Sequence, residues 1–116
     1  MSKPLGPYSP VVRAGDFVIV SGQGGMLDGQ IVSGGVAAQT TQTMENVATQ
    51  LASVGATLAD VVKTLCFLTD MDTFATFNEA YAEAFGSHRP ARSTVGVAAL
   101  PGGMAVEVEA WAYVPQ

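Results

Sequence analysis

The order of hydrophobic and polar positions predicts alternating strands and helices, beginning with a β-hairpin. Residues 17–21 are mostly apolar and typical of a strand, and residues 11–13 lie across a predicted turn at 14–16, where they can pair with it. Asp28-Gly29 predicts a second tight turn. The glycine cluster at 22–25 lacks the Gly-Lys-Ser/Thr ending of a phosphate-binding loop, which favours a strand end or a bulge.

Two segments show the period of about 3.6 residues that is typical of an amphipathic helix. The first spans residues 35–55, with Gly55 as the predicted stop, and its apolar face is Val36, Thr40, Met44, Val47, Leu51 and Val54. The second spans residues 73–85, with Asp72 as the predicted N-cap. Its aromatic face is interpreted as core packing and consists of Phe74, Phe77, Tyr81 and Phe85.

Three further strands complete the pattern. Residues 61–69 form a continuous apolar run, which predicts burial on both faces. Residues 90–97 predict a strand entered through a proline, and a turn at 100–103 precedes a strictly alternating strand at 104–114. The element order predicts an α+β fold in which two helices cover one face of a mixed sheet. The opposite face carries large aromatics, so we expect a subunit contact there.

Composition narrows the function classes. The 116 residues include 5 Lys and Arg against 10 Asp and Glu, with 48% hydrophobic and 13% charged residues, which argues against disorder. The few cations are scattered, so we expect no nucleic-acid partner. No apolar run reaches the ~18 residues of a membrane span, and the N-terminus lacks the apolar core of a signal peptide, so we expect a cytoplasmic protein without a membrane partner. The high apolar share favours homo-oligomerisation.

The chain has one cysteine and one histidine, which limits metal and thiol chemistry. Cys66 lies in an apolar run, where a buried inert thiol is the favoured interpretation, and no internal disulfide can form. His88 lies in a segment of loop composition and is predicted to be a surface residue, not a catalytic base. One residue of each type is too few for a zinc site, so no metal is expected.

Arg92 and Glu107 are charged residues in otherwise apolar strands. A guanidinium can bind a carboxylate through two parallel hydrogen bonds, and a half-buried carboxylate can hold or deprotonate a water. Together they could bind a small carboxylic acid and hydrate the adjacent carbon. The alternative is a structural ion pair that fixes strand register or a subunit contact. If their strands form a hairpin, Arg92 lies near or beyond the end of the strand of Glu107, and Glu109 is a competing acid.

Two polar residues are weaker candidates. Tyr8 lies on a proline-rich arm, where its phenol could donate to a ligand or its ring could pack the arm against the core. Asn78, on the second helix, could line a site or be an exposed residue, and spacing does not distinguish these possibilities.

Several motifs together resemble the RidA (YjgF) family of enamine/imine deaminases, in order along nearly the whole chain. They are Gly6-Pro7-Tyr8-Ser9, Val20-Ser21-Gly22-Gln23, Phe77-Asn78-Glu79-Ala80-Tyr81, Pro90-Ala91-Arg92-Ser93-Thr94-Val95 and Val106-Glu107-Val108-Glu109-Ala110. The resemblance implies one RidA-like domain over residues 1–116, a chorismate-mutase-like fold, and a homotrimer with active sites between subunits. It implies a hydrolase acting on C–N bonds, a 2-iminobutanoate/2-iminopropanoate deaminase, that converts substrates such as 2-aminoacrylate to 2-keto acids and ammonia without a cofactor.

The resemblance also assigns roles by position. It implies that Arg92 binds the substrate carboxylate and that Glu107, not Glu109, activates water. Thr94 and Gly22 would contribute backbone contacts, Tyr8 would line the cleft and Asn78 would support it.

The chain departs from the family pattern at three places, and these keep other functions open. Many members have Cys at the position of Thr94 and Gln at that of Pro10, and Gly24-Gly25 could alter the cleft wall. One alternative is a non-catalytic protein that binds or senses a small carboxylic acid. A less favoured alternative is the ribonuclease or translation-inhibitor activity that some members are named for, since the acidic balance argues against RNA binding.

Overall fold

The computed structural model describes residues 4–116. Residues 1–3, on which part of the expectation about a signal peptide rests, lie outside the described residues. The strands within this range are β1 (Val11–Ala14), β2 (Phe17–Gly24), β3 (Met26–Leu27), β4 (Gln30–Ile31), β5 (Val61–Leu68), β6 (Ala91–Gly96) and β7 (Val106–Tyr113). The α-helices are α1 (Gly35–Ala52) and α2 (Phe74–Phe85), and short 3-10 helices span Leu58–Asp60, Met71–Thr73 and Pro101–Gly103.

Five of the strands form one mixed sheet in the order β1-β2-β7-β5-β6. Strands β5 and β6 are parallel, and the other neighbours are antiparallel. The possible hairpin between the strands of Arg92 and Glu107 is therefore wrong, because β5 lies between β6 and β7. The predicted hairpin of β1 and β2 is confirmed, with Val11 paired to Val20 and Ala14 to Phe17.

Glycine allows two departures from regular strand geometry. The β3–β4 hairpin turns at Asp28 and Gly29, which both have positive φ, as the Asp-Gly signal predicted. Strand β2 ends at Gly24, inside the glycine cluster, and its pairing with β7 shifts between Val20 and Gln23, so Gly22 lies in a β-bulge. The predicted bulge is confirmed.

The hydrophobic core lies between one sheet face and the two helices. It includes Met44, Val47 and Leu51 of α1, and the same face of β7 contributes Val106, Val108, Ala110 and Ala112. On β5, Val61, Thr64, Cys66 and Leu68 are buried beneath the helices, whereas Leu65 and Phe67 are only half-buried. The prediction that β5 is buried on both faces is wrong for the single chain, because neither helix within residues 4–116 covers the second face.

The second face of the sheet carries an exposed aromatic cluster of Phe17, Trp111 and Tyr113. The Phe17 ring lies edge-on to both others, with centroid distances of 6.4 Å to Trp111 and 5.4 Å to Tyr113. Each of the three is at least 39% exposed. The alternation predicted for β7 is confirmed, and the subunit contact on this face stays a prediction. Across residues 4–116, neither helix combines the length and apolarity needed to cross a membrane.

The helices begin and end near the predicted positions. Helix α1 stops at Ala52, before the predicted stop at Gly55. Helix α2 follows the 3-10 helix Met71–Thr73, and the Asp70 side chain accepts a hydrogen bond from the Asp72 backbone N–H at 2.9 Å. The prediction of Asp72 as the cap is wrong, because the extra 3-10 turn moves the first free backbone N–H groups closer to Asp70.

We expect Asp70→Ala to lower the free energy of unfolding by about 1 kcal/mol, since it leaves a helix-start N–H without its acceptor. Asp72→Ala is the matched control and should cost clearly less, because its side chain caps nothing. Urea unfolding of the two variants makes the comparison. Equal losses would contradict the assignment of Asp70 as the cap.

Candidate active site

Arg92 lies on the edge strand β6, on the helix-covered side of the sheet. In the parallel register it is opposite Thr64, which is fully buried under α2. The Cζ atom of Arg92 is 5.5 Å from the ring centroid of Phe74, 5.6 Å from that of Phe77 and 4.9 Å from that of Tyr81. These distances fit cation–π contacts, which attract the positive charge without occupying the donor fork of the guanidinium.

Two predicted polar residues belong to the same side of the molecule. Thr94 follows Arg92 by two positions on β6 and so shares its face, and Asn78 shares a helix face with Phe74 and Tyr81. Thr94 Oγ1 and Asn78 Oδ1 are both buried and have no hydrogen-bond partner within residues 4–116. Buried polar atoms without partners are costly, so this region has unused hydrogen-bonding capacity. We call Arg92, Thr94 and Asn78 the arginine group.

The other three predicted residues line a cavity of about 660 Å³. They are Tyr8, Gly22 and Glu107, which we call the Glu107 cluster. The remaining wall comes from the N-terminal arm, the bulge of β2, the β3–β4 hairpin, one side of α1, and Met104. The cavity volume is that of a typical small-molecule site.

Gly22 and Glu107 are in close contact across the bulge. A Cβ atom at Gly22 would collide with the side chain of Glu107, so the carboxylate occupies space that only glycine leaves free. The side chain of Glu107 is half-buried. Burial raises its pKa above the ordinary value of a glutamic acid, and the nearby charge of Glu109 raises it further. A carboxyl group of this kind can both hold and release a proton.

Tyr8 is held in the cavity wall by the arm itself. Its hydroxyl accepts a hydrogen bond from the Leu5 backbone N–H at 3.1 Å, and its ring is 45% exposed. The arm is fixed to β2 by Ser21, whose backbone N–H donates to Pro10 O at 2.9 Å and whose hydroxyl donates to Ser9 O at 2.6 Å. The exposed ring does not fit the alternative of an aromatic residue packed into the core.

Arg92 and Glu107 lie on opposite faces of the sheet. The buried residues of β7 are Val106 and Val108, so Glu107 points to the uncovered face, whereas Arg92 points toward α2. An ion pair between Arg92 and Glu107 of one chain is therefore excluded. The arginine group and the Glu107 cluster do not form one site within a single chain.

The spacing of Phe74, Phe77 and Tyr81 predicts core packing and does not show their contact with Arg92. Phe77 and Tyr81 are indeed buried, while Phe74 is 37% exposed beside the guanidinium. Their spacing predicted one helix face correctly. The contact itself depends on β6 lying next to β5, which the spacing does not specify.

Gly24 and Gly25 lie at places where the chain packs too closely for a side chain. Gly24 lines the cavity, and a Cβ there would collide with the sulfur of Met104. Gly25 lies against the backbone of Gln39, at the start of α1. These glycines let Met104 and α1 approach β2 closely, which sets the shape of the cavity.

The lone cysteine and histidine have structural positions. Cys66 is fully buried in the core, as predicted, and burial raises the pKa of its thiol. His88 is half-buried, not a free surface residue: a ring nitrogen is 2.7 Å from Val61 O, and its ring lies edge-on to Phe85. Within the described range 4–116, no group of three or more His, Cys, Asp or Glu side chains is placed to hold a metal ion.

Fold and candidate site together define a class: a small α+β protein with a mixed sheet, two helices on one face, and an arginine and a glutamate that lie on opposite faces of the sheet. Comparisons with known proteins identify a family that matches the chain and solved structures with the same fold. The family described as Endoribonuclease L-PSP matches residues 1–114. The chain belongs to this family, also known as the YjgF/RidA family, and the resemblance stated above is confirmed.

Individual relatives are similar over most of their length. A RutC family protein of Pyrococcus horikoshii is 44% identical over 113 residues, covering 96% of this chain and 90% of that protein. The human 2-iminobutanoate/2-iminopropanoate deaminase is 44% identical over 108 residues, covering 91% and 79%. The crystal structure of RidA from the Antarctic bacterium Psychrobacter sp. superposes with a TM-score of 0.92 at 38% identity, covering 97% of this chain and 92% of that one.

The raised pKa of Glu107 predicts a pH dependence of stability. Because the folded pKa lies above the unfolded one, the protonated group favours the fold. This contribution is fully present below the unfolded pKa and is lost as the pH rises through the folded pKa. We therefore expect the stability of the unsubstituted protein, relative to Glu107→Gln, to fall as the pH rises through this interval.

Urea unfolding of both proteins at one fixed protein concentration, from about pH 4 to about pH 7, measures the difference. Glu109→Gln is the control. It should lower the pKa of Glu107, because it removes a like charge, and so move the fall to lower pH. Parallel pH curves for the protein and Glu107→Gln would contradict the assignment.

Proposed function

We propose that this protein hydrolyses reactive 2-enamines and 2-imines, such as 2-aminoacrylate and 2-iminopropanoate, to 2-keto acids and ammonia. The observation that carries the proposal is the Arg92 guanidinium, which lies against aromatic rings on the side of the molecule where Thr94 Oγ1 and Asn78 Oδ1 are buried without a hydrogen-bond partner within residues 4–116. Such a cation retains its donor fork for an incoming carboxylate. Relatives named as deaminases at 42–44% identity support the same reaction.

The reaction needs few groups. An enamine such as 2-aminoacrylate first takes a proton at its terminal carbon and becomes the imine. Arg92 binds the substrate carboxylate and so fixes the position of the adjacent imine carbon. A water adds to that carbon and gives up a proton to Glu107. Glu107 returns this proton to the nitrogen, the C–N bond breaks while the new hydroxyl group gives its proton to the Glu107 carboxylate, and the products are a 2-keto acid and ammonia.

Glu107 suits the proton transfers. Its raised pKa means that its carboxylate accepts a proton from water more readily than an exposed glutamate does, and the acid formed can return the proton to nitrogen. Tyr8 and Gly22 line the same cavity. Tyr8 would contact the substrate, and the backbone of Gly22 would lie next to the attacking water.

We further propose that the complete site forms between two copies of the chain in a homotrimer. Within one chain the sheet separates Arg92 from Glu107, so one residue of the pair has to come from a neighbour. The exposed cluster of Phe17, Trp111 and Tyr113 offers an apolar contact surface on the uncovered face. Closed symmetry would repeat the same site at each interface.

Arg92→Ala should lower kcat/KM at least ~100-fold, because the substrate loses a bidentate, charge-assisted contact. The assay follows keto-acid release from freshly generated 2-aminoacrylate, with uncatalysed hydrolysis subtracted. Arg89→Ala is the matched control and should retain activity, since its guanidinium donates only to the backbone oxygens of Gly86 and His88.

Glu107→Gln should keep its affinity for pyruvate and lose about 100-fold in kcat, as expected for a general acid–base group. Retained turnover in Arg92→Ala would refute the proposed role of the guanidinium. Tight pyruvate binding by the unsubstituted protein, with no turnover of any imine, would instead support a protein that only binds or senses carboxylic acids.

Mixing inactive variants tests whether the site forms between chains. When Arg92→Ala and Glu107→Gln chains are unfolded together and refolded at equal amounts, about a quarter of the interfaces of a symmetric oligomer combine an intact Arg92 with an intact Glu107. We expect activity to return to about this fraction of the unsubstituted value. The two variants refolded separately and then combined on ice are the control, and equal activity in both mixtures would contradict the proposed arrangement.

A further inference from the structure

One aromatic ring lies closer to the Arg92 guanidinium than the other two. Of the three rings around it, Tyr81 is nearest, with its centroid 4.9 Å from Arg92 Cζ. Tyr81 is also the only one of the three that carries a hydroxyl group. It is 5% exposed, so this polar group has to find its partner inside the protein.

The partner of the Tyr81 hydroxyl is Thr64. Their oxygen atoms are 2.7 Å apart in a buried hydrogen bond. Thr64 is fully buried and is also the residue opposite Arg92 in the β5–β6 register. The same strand pair therefore fixes the backbone of Arg92 and, through Thr64, the ring against which its guanidinium lies.

A neutral ring is suited to holding a cation that has to bind an anion. A carboxylate in this place would compete for the N–H donors of Arg92, whereas a ring face attracts the charge and leaves the edge of the guanidinium free. Burial raises the pKa of Tyr81, so the phenol stays neutral. A long side chain held in advance loses less conformational entropy when the ligand binds.

We propose that Tyr81, anchored by Thr64, is the positioning residue that holds Arg92 ready to bind the substrate carboxylate. This inference rests on the proposed function, because it takes Arg92 as the carboxylate-binding group. Neither residue touches the substrate; both act through the orientation of the guanidinium.

Three variants separate the ring from its anchor. Tyr81→Phe keeps the ring and removes the hydroxyl, and Thr64→Val removes the other half of the same hydrogen bond together with the weak hydrogen bond, 3.8 Å long, that the Cys66 thiol donates to the Thr64 hydroxyl. Each should weaken pyruvate binding about 3-fold, and the double variant should be no worse than either, because all three lose the same hydrogen bond between Tyr81 and Thr64. Tyr81→Leu removes the ring and should weaken binding at least ~10-fold. Thr43→Val is the control, since its hydroxyl bonds Gln39 O within α1.

The readout compares pyruvate with pyruvamide by calorimetry on the full-length protein. A misplaced guanidinium lowers affinity for the carboxylate and leaves affinity for the neutral amide almost unchanged, whereas general damage to the fold lowers both. In the deaminase assay the same variants should raise KM and change kcat little, since carboxylate binding is shared by ground state and transition state.

The outcomes distinguish this inference from the proposed function. Selective loss of pyruvate affinity in Tyr81→Phe and Thr64→Val supports it, and this holds even if Tyr81→Leu fails to fold. Unchanged pyruvate affinity, equal losses for both ligands, or no preference for pyruvate in the unsubstituted protein would overturn it. A protein that prefers pyruvate through Tyr81 but hydrolyses no imine supports this inference and contradicts only the proposed reaction.

Discussion

The contact between the Arg92 guanidinium and three aromatic rings is the interaction on which the candidate site depends. A buried or half-buried cation usually requires a carboxylate partner, which lowers its cost and also satisfies its donors. Here the rings of Phe74, Phe77 and Tyr81 surround the charge. The positive charge is stabilised while its hydrogen-bonding edge stays available, which is the property that a carboxylate-binding residue needs.

The alternation of side chains along a strand is the second constraint. In β7 the valines and alanines that pack under the helices force Glu107 to the opposite face, and Arg92 of β6 points to the helix side. No change of rotamer can bring the two groups across the sheet. A site that uses both therefore requires two chains, and the uncovered aromatic face is where the chain has apolar surface available for such a contact.

The shape of the cavity beside Glu107 depends mainly on two glycines, because they have no side chains. The bulge of β2 places Gly22 against the Glu107 carboxylate and Gly24 against Met104. Both contacts are so close that a Cβ atom at either glycine would collide with the neighbouring side chain. Burial of Glu107 and the nearby charge of Glu109 raise the pKa of Glu107. The backbone irregularity of β2 thus makes room for a carboxyl group whose proton affinity is increased by its burial.

Local structure and the candidate site residues could be predicted from the residues alone. The periods of residues 35–55 and 73–85 predicted both helices, the Asp28-Gly29 signal predicted a turn, and the alternation around Glu107 predicted its face, because these features depend on neighbours within a few residues. Arg92 and Glu107 stood out because charge is rare in apolar strands.

How these elements pack against one another became visible in the folded chain and not in its local patterns. Strand order is set by packing of the whole chain, so spacing could not show that β5 separates β6 from β7, or that Arg92 lies opposite Thr64 and against Tyr81. The cap at Asp70 likewise depended on an extra turn that propensity does not encode. Contacts between residues distant in the chain follow from the fold as a whole, and the separation of Arg92 from Glu107 is one of them.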